Sequence, residues 1–330
     1  MAKKKQTKKQ KKALKKIILS LFVLLAIFII LCFMTPADGD ATLKSDGKIK
    51  NLEIPADIEG DEVINHTGYT LSYNEEYEIA NWVAYELTRE EVLGEEERGD
   101  DFREDKSVST GSAKLNDYKG SGYDRGHMAP AADFKWSAEA MSDTFFLSNM
   151  APQDPSFNRG IWGDLEAAVR TMAYDNGSIY VVTGPVLTDG PYKTIGDSEV
   201  AVPNYFYKAI LDYSEPDIKA IGFVLPNEGS SKSLSSYAVS INDVEEITGL
   251  DFFTALPDSQ EEEIENSFST SKWSFRSFVP TGETADVSYV VENDPKAEFL
   301  EVARKAFIEF KEAVFEYTGL TKYAKAFGLI

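Results

Sequence analysis

The period of apolar residues changes several times along this chain of 330 residues, and each change marks an element. In residues 79–88, Trp82, Ala84 and Glu86 alternate with Val83, Tyr85 and Leu87, the period-2 pattern of a strand. Residues 178–187 hold the run Ile179, Tyr180, Val181, Val182, which reads as a buried strand. Residues 205–213 alternate, with Tyr205, Tyr207, Ala209 and Leu211 on one face. Residues 218–225 read as a further strand, ended by Pro226 and Asn227. From residue 158 the period becomes helical. Ile161, Leu165, Ala168 and Met172 would face a core, and Asn158, Trp162, Glu166 and Arg170 form an i, i+4 ridge beside them. Residues 240–249 read as a short helix, capped by Ser240 and stopped by Gly249. Strands and helices in this mixture predict an α+β or layered mixed fold.

Both ends of the chain follow other patterns. The first sixteen residues hold nine lysines and no acid, and residues 17–34 are then almost wholly apolar. Eighteen residues as a helix span about 27 Å, close to the hydrocarbon thickness of a bilayer. The lysines should stay cytoplasmic, so the rest of the chain faces outside. A cleaved signal peptide is the rival reading, but the apolar run is long for one and no clear cleavage site follows. Cys32, the only cysteine, lies in this run. It lacks the small preceding residue of a lipoprotein signal, and no disulfide can form within the monomer. Residues 35–61 are polar and read as a tether. At the other end, Phe299, Ala303, Ala306, Phe307, Phe310 and Val314 make an amphipathic helical stripe. It is expected to pack on the domain, with docking of a protein partner as the other reading. The chain therefore divides into a basic tail (1–16), an anchor (17–34), a linker (35–61), a folded domain (62–280) and a helical extension (281–330).

Hydrophobic residues make up 43% of the chain, enough for a substantial core. Charge adds a constraint. Setting aside the nine N-terminal lysines leaves 25 basic against 55 acidic residues, a net charge of −30. Such a surface repels nucleic acid at long range. The charge is uneven, however: residues 98–170 carry 9 basic and 12 acidic residues, while the flanks 35–97 and 171–330 carry −13 and −14.

The candidate chemistry lies in that least acidic segment. His127, in Asp124-Arg125-Gly126-His127, is one of two histidines; the other, His66, sits in a polar context. An imidazole of ordinary pKa can take a proton at neutral pH. A structural histidine is the plainer reading of His127 taken alone. Likewise, Asn158 can be a helix cap and Glu166–Arg170 a surface pair. Two distant histidines and one cysteine in an apolar run cannot build a tetrahedral zinc cage. No G-x-S-x-G elbow supports a serine triad.

Taken together, three pieces resemble the DNA/RNA non-specific endonucleases with a ββα-metal site. They are Asp124-Arg125-Gly126-His127, Ser148-Asn149-Met150-Ala151-Pro152-Gln153, and Asn158 with Glu166 eight residues on. The likeness runs from about Asn81 to about Pro257 and takes in Val182-Thr183-Gly184-Pro185 and the 244–250 helix end. The resemblance implies a central antiparallel sheet flanked by helices and phosphodiester cleavage of DNA and RNA. It implies His127 as general base, Asn158 as ligand of one Mg²⁺ (Mn²⁺ as substitute), and Glu166 as holder of the ion's water shell. It implies that Asn149 organises the site and that Asp124 and Arg125 support the histidine strand. A substrate-facing arginine is expected in residues 98–103, with Arg98 and Arg103 both candidates. The alternatives are a non-catalytic binding protein on the same fold and a metal-dependent phosphodiesterase for other esters such as wall polymers.

Overall fold

In a computed structural model, which describes residues 49–56 and 60–278, the apolar segments assemble on one antiparallel sheet. Its strands are β1 (Glu62–His66), β2 (Tyr69–Asn74), β3 (Ile79–Thr88), β6 (Ser178–Pro185), β9 (Tyr205–Asp212), β10 (Lys219–Pro226) and β11 (Ala238–Val239). They lie in the order β1-β2-β3-β6-β9-β10-β11. Two ribbons stand outside this sheet: β4 (Asp124–His127) with β5 (Met150–Gln153), and β7 (Lys193–Ile195) with β8 (Val200–Val202). The helices are α1 (Arg89–Val92), α2 (Leu115–Tyr118), α3 (Ala138–Asp143), α4 (Gly163–Asn176), α5 (Ile241–Thr248) and α6 (Asp258–Glu265). The α+β class with a central antiparallel sheet is therefore present.

The sheet is covered on both faces. On β9, Phe206 packs against Phe157 and Trp162, just ahead of α4, while its neighbour Tyr207 packs against Phe252 on the other side. On β10, the Cα of Gly222 runs so close to α5 that a Cβ there would fall 2.5 Å from Val244. Two-sided cover explains one departure from the sequence pattern. The alternation in 79–88 predicts one wet face, yet β3 is buried from Ile79 through Tyr85. A strand flanked by β2 and β6 and covered twice has no wet face, whatever its period.

Helix ends follow their capping chemistry. Ser240 Oγ accepts the Asp243 N–H at 3.1 Å and the Asp243 carboxylate accepts the Ser240 N–H at 3.0 Å. Gly249 ends α5 at φ 73°, a left-handed conformation that glycine adopts without penalty. Helix α4 departs from expectation at its start. The helical period begins at Asn158, but a wide turn over Asn158–Trp162 precedes the regular helix, and Gly160 breaks it at φ −109°, ψ −119°. Trp162, Glu166 and Arg170 thus share a ridge on one side of the break, and Asn158 stands on the other.

The stretch 98–113 has little regular structure and is held by specific bonds. Arg103 N–H donates to Phe145 O at 3.2 Å, and Leu147 N–H donates to Arg103 O at 2.9 Å. Below this bridge Asp105 is fully buried. Its carboxylate accepts His66 Nε2–H at 2.8 Å, Ser148 Oγ–H at 2.6 Å and the Ser107 N–H at 2.8 Å. Burial would raise the Asp105 pKa; the bonds from His66 and Ser148 outweigh it and hold the carboxyl below the usual range. His66, stacked on Phe146, is therefore a structural histidine.

Residues 1–48, 57–59 and 279–330 lie outside the described residues. With them go the basic tail, the expected span, most of the linker and the C-terminal stripe. Among the described residues no helix is long and apolar enough to cross a membrane.

Removing a buried carboxylate that three groups share leaves those groups without their hydrogen-bond partner. We expect Asp105→Ala to lower the unfolding free energy by about 3 kcal/mol, measured by urea denaturation. A loss below about 1 kcal/mol would mean that the 98–113 segment is held elsewhere.

Candidate active site

The β4–β5 ribbon pairs Asp124 with Gln153, Arg125 with Pro152, Gly126 with Ala151 and His127 with Met150. Strand alternation puts Arg125 and His127 on one face, and Asp124 and Gly126 on the other. Gly126 is required by a close approach: a Cβ there would lie 2.1 Å from Gln153 Oε1 and 2.2 Å from its Cδ. The fully buried Gln153 side chain lies across that glycine, so one face of the ribbon is closed.

Asn149 lies 22 positions after His127, and one side chain closes that excursion. Asn149 is fully buried. Its Oδ1 accepts the Ala129 N–H at 2.9 Å, and its Nδ2 donates to Ala129 O at 2.9 Å and Thr144 O at 2.8 Å. Its backbone O accepts the Met128 N–H at 3.0 Å. The amide is wholly occupied by the loop that leaves His127, so it positions the histidine and faces no substrate.

His127 sits in an aromatic box. Its ring centroid is 5.1 Å from that of Phe145, edge-on, and 5.7 Å from that of Phe102. Nε2 is buried and has no hydrogen-bond partner. Two cations back the box: the Arg125 guanidinium lies 3.9 Å from the Phe102 centroid, and the Arg98 guanidinium 5.1 Å from that of Phe145. Burial first, then the charges of Arg98 and Arg125, push the His127 pKa down to about 3. The imidazole is neutral at physiological pH, with one ring nitrogen free to accept a proton.

The structure separates the two arginine candidates. Arg98 is exposed, and its charge acts on both His127 and Glu166. Arg103 is tied into the frame: it pairs with Asp101 at 2.8 Å, donates to Ser142 O at 2.8 Å and lies 3.8 Å over Phe146.

Asn158 is joined to the histidine strand through Asp124. Its Nδ2 donates to Asp124 Oδ2 at 3.0 Å. Arg159 donates to the same carboxylate, Nε to Oδ2 at 2.7 Å and a terminal nitrogen to Oδ1 at 2.6 Å. Burial works to raise the Asp124 pKa, but the bonds from Arg159 and Asn158 prevail and lower it. With its nitrogen committed, Asn158 has its amide oxygen left to bind a ligand, and its side chain caps no helix. No group of three His, Cys, Asp or Glu that could cage a metal occurs among the described residues. An amide oxygen beside the Asp124 carboxylate fits a hard divalent cation that keeps most of its water.

Glu166 is half-buried on the ridge of α4. Arg170, which the i, i+4 spacing offered it, pairs with Asp133 at 2.8 Å instead. Asp133 is fully buried and also accepts Tyr85 O–H at 2.8 Å. Burial pushes the Glu166 pKa up to about 7, against the charges of Lys208 and Arg170. Lys208, fully buried on β9, was missed by sequence reasoning, as was Asp133. The signal for Lys208 was present: a lone lysine inside Tyr205-Phe206-Tyr207-Lys208-Ala209-Ile210-Leu211, where a strand covered on both faces has no room for unpaired charge.

Comparison with known proteins gives the relatives of this chain. Residues 49–259 match the DNA/RNA non-specific endonuclease family. Nuclease EXOG, mitochondrial, of Mus musculus is 37% identical over 62% of this chain and 60% of its own length. Endonuclease G, mitochondrial, of Homo sapiens is 39% identical over 56% of this chain and 67% of its own. Nuclease C1 of Cunninghamella echinulata var. echinulata is 38% identical over 58% of this chain and 83% of its own. Among solved structures, that of the EndoG/EndoGI complex superposes with a TM-score of 0.59 at 35% identity, over 67% of this chain and 96% of that one. The chain thus spans about three fifths of the mouse relative's length.

Gly126 tests the closed face of the ribbon. We expect Gly126→Ala, which must displace a buried side chain, to lower stability by about 1–3 kcal/mol, read as a reduced urea midpoint. An unchanged midpoint would show that Gln153 yields freely and does not fix the strand.

Proposed function

Because this chain belongs to the DNA/RNA non-specific endonuclease family, we propose that it is a metal-dependent endonuclease that hydrolyses phosphodiester bonds of DNA and RNA. The observation that carries the reading is the buried, unpartnered Nε2 of a neutral His127, on the same short strand that holds Asn158 through Asp124. A histidine kept only for packing has no use for an orphaned nitrogen or for two arginines that keep it neutral.

Each residue then has a task. A ring nitrogen of the neutral His127 takes a proton from the attacking water as the new P–O bond forms and the ester P–O bond breaks, the leaving alkoxide taking its proton from solvent. Arg98, exposed at the edge of the box, faces the negative charge that grows on the phosphoryl group. Arg125, on the same face of the strand as His127, is placed for a neighbouring phosphate. Asn158 Oδ1 would hold the cation and Glu166 its water shell, and Mg²⁺, or Mn²⁺ in its place, would there supply positive charge to the phosphoryl and leaving oxygens. Asp124 fixes the direction of the Asn158 amide, and Asn149 fixes the loop after His127. The family resemblance supports the roles of His127, Asn158 and Glu166.

Location enters the proposal too. The lysine block followed by the apolar run 17–34 supports a single-pass anchor in the cell membrane with the catalytic domain outside. Net charge supports a local mode of binding. The least acidic segment, 98–170, carries the arginines of the site, so contact with nucleic acid should be confined to a few phosphates around it.

The test is a cleavage assay on plasmid DNA and on RNA, with and without Mg²⁺. We expect the protein to cut both in the presence of metal only. His127→Ala should stay folded and lose activity by about 10²–10⁴-fold. A loss of less than about tenfold would remove His127 from the role of base.

A further inference from the structure

The largest charge that these roles leave unused is Lys208. It is fully buried in the centre of the sheet. Its Nζ donates to Thr183 Oγ1 at 3.1 Å, and the Thr183 hydroxyl in turn donates to Tyr207 O at 3.1 Å. The same Nζ lies 4.5 Å from the centroid of the Trp162 ring. One hydroxyl and one aromatic face do not compensate a buried ammonium, whose desolvation costs several kcal/mol. The compensation must come from the carboxylates around it.

Two carboxyls act on Lys208, those of Glu166 and Asp133, and one other cation, Arg170. Two cations and two carboxyls make a group of four beneath the helix, in which Lys208 and Asp133 are fully buried. Asp133 is already matched, by Arg170 at 2.8 Å and by the Tyr85 hydroxyl at 2.8 Å. Glu166 makes no ion pair within 4 Å among the described residues, so Lys208 and Glu166 act on each other across a longer gap. The geometry agrees: Trp162, the ring under Lys208, lies one helical turn before Glu166 on the same ridge of α4. Lys208 reaches that ridge from β9, across the interface between sheet and helix.

We propose that Lys208 is a positioning residue, the fixed positive charge from the sheet that holds the Glu166 carboxylate in place on the helix ridge. Burial pushes the Lys208 pKa down to about 8 while Glu166 holds it up, so the lysine is charged at pH 7. Arg98 and Arg170 also bear on Glu166, but Arg98 is exposed and Arg170 is bound to Asp133. Neither can substitute for a cation locked in the sheet. The catalytic consequence rests on the function proposed above; the coupling itself does not.

A double-mutant cycle of K208M and E166Q in the full chain tests this, read first as thermal stability at pH 7 without metal. K208M alone should lower the melting temperature by about 5–10 °C, because it removes the positive charge that offsets the burial of Glu166 and Asp133. In the E166Q background the same change should cost less than half as much. If K208M fails to fold, the K208M/E166Q protein should fold. Additive shifts, or a double variant that also fails to fold, would overturn the proposal. Activity gives a second reading. K208M should lower kcat by about tenfold or more with KM little changed, and add no further loss to E166Q. Coupling in stability without cleavage by any form would count against the nuclease reading and leave the charge pair standing. Cleavage that survives K208M at the full rate, with no coupling in stability, would remove Lys208 and leave the nuclease reading standing.

Discussion

The side-chain amide of Asn149 is the bond on which the site depends. It satisfies the N–H and the C=O of Ala129 together and reaches Thr144 O as well. The chain leaves β4 at His127, wanders through α3 and returns as β5. Without a fixed closure that excursion would let the end of β4 move, and the imidazole with it. The amide carries donors and acceptor in the right places to close it, and nothing apolar of the same size does. Gly126 completes the constraint from the other face, where the Gln153 side chain lies flat against the backbone. His127 is thereby pressed between Phe102 and Phe145 with little freedom.

Charge is arranged around that rigid frame in two layers. The outer layer is the pair Arg98 and Arg125, each over one wall of the aromatic box. They add to burial, the larger effect, in keeping the imidazole neutral, and they present positive charge to an arriving phosphate. The inner layer lies beneath the ridge of α4, where the half-buried Glu166 and Arg170 meet the fully buried Asp133 and Lys208. The helix alone does not supply this group. Arg170 and Glu166 come from α4, Lys208 from β9, Asp133 from the turn after β4, and Tyr85 from β3. The site is therefore a product of tertiary packing, although its best-known letters sit within 43 consecutive residues, 124–166.

Those letters explain how much was legible beforehand. Asp124-Arg125-Gly126-His127 and the Asn158–Glu166 spacing are local, and so were the strands at 178–185, 205–212 and 219–226 and the capped helix at 241–248. What escaped depends on partners distant in sequence. The alternation of 79–88 misled because cover on two faces is decided by elements a hundred residues away. The helical period at Asn158 ran through a break at Gly160 that no apolar count reveals. Arg98 and Arg103 could not be ranked from spacing. Asp101, Ser142 and Phe146 engage the second and leave the first at the box. The Glu166–Arg170 pair, favourable on an isolated helix, gave way to Asp133, a carboxylate buried deeper than a surface pair allows.

The central claim is that the frame holds His127 neutral before any substrate arrives. With two histidines in the chain, ¹⁵N NMR of the imidazoles resolves the question, and His66→Gln assigns the signals. The claim predicts that the His127 ring keeps the shifts of a neutral tautomer from about pH 8 down to about pH 5, far below the ordinary imidazole midpoint of about 6.5. A titration of His127 with a midpoint at about 6 or above would contradict it, because the box and its two arginines would then exert no hold on the proton.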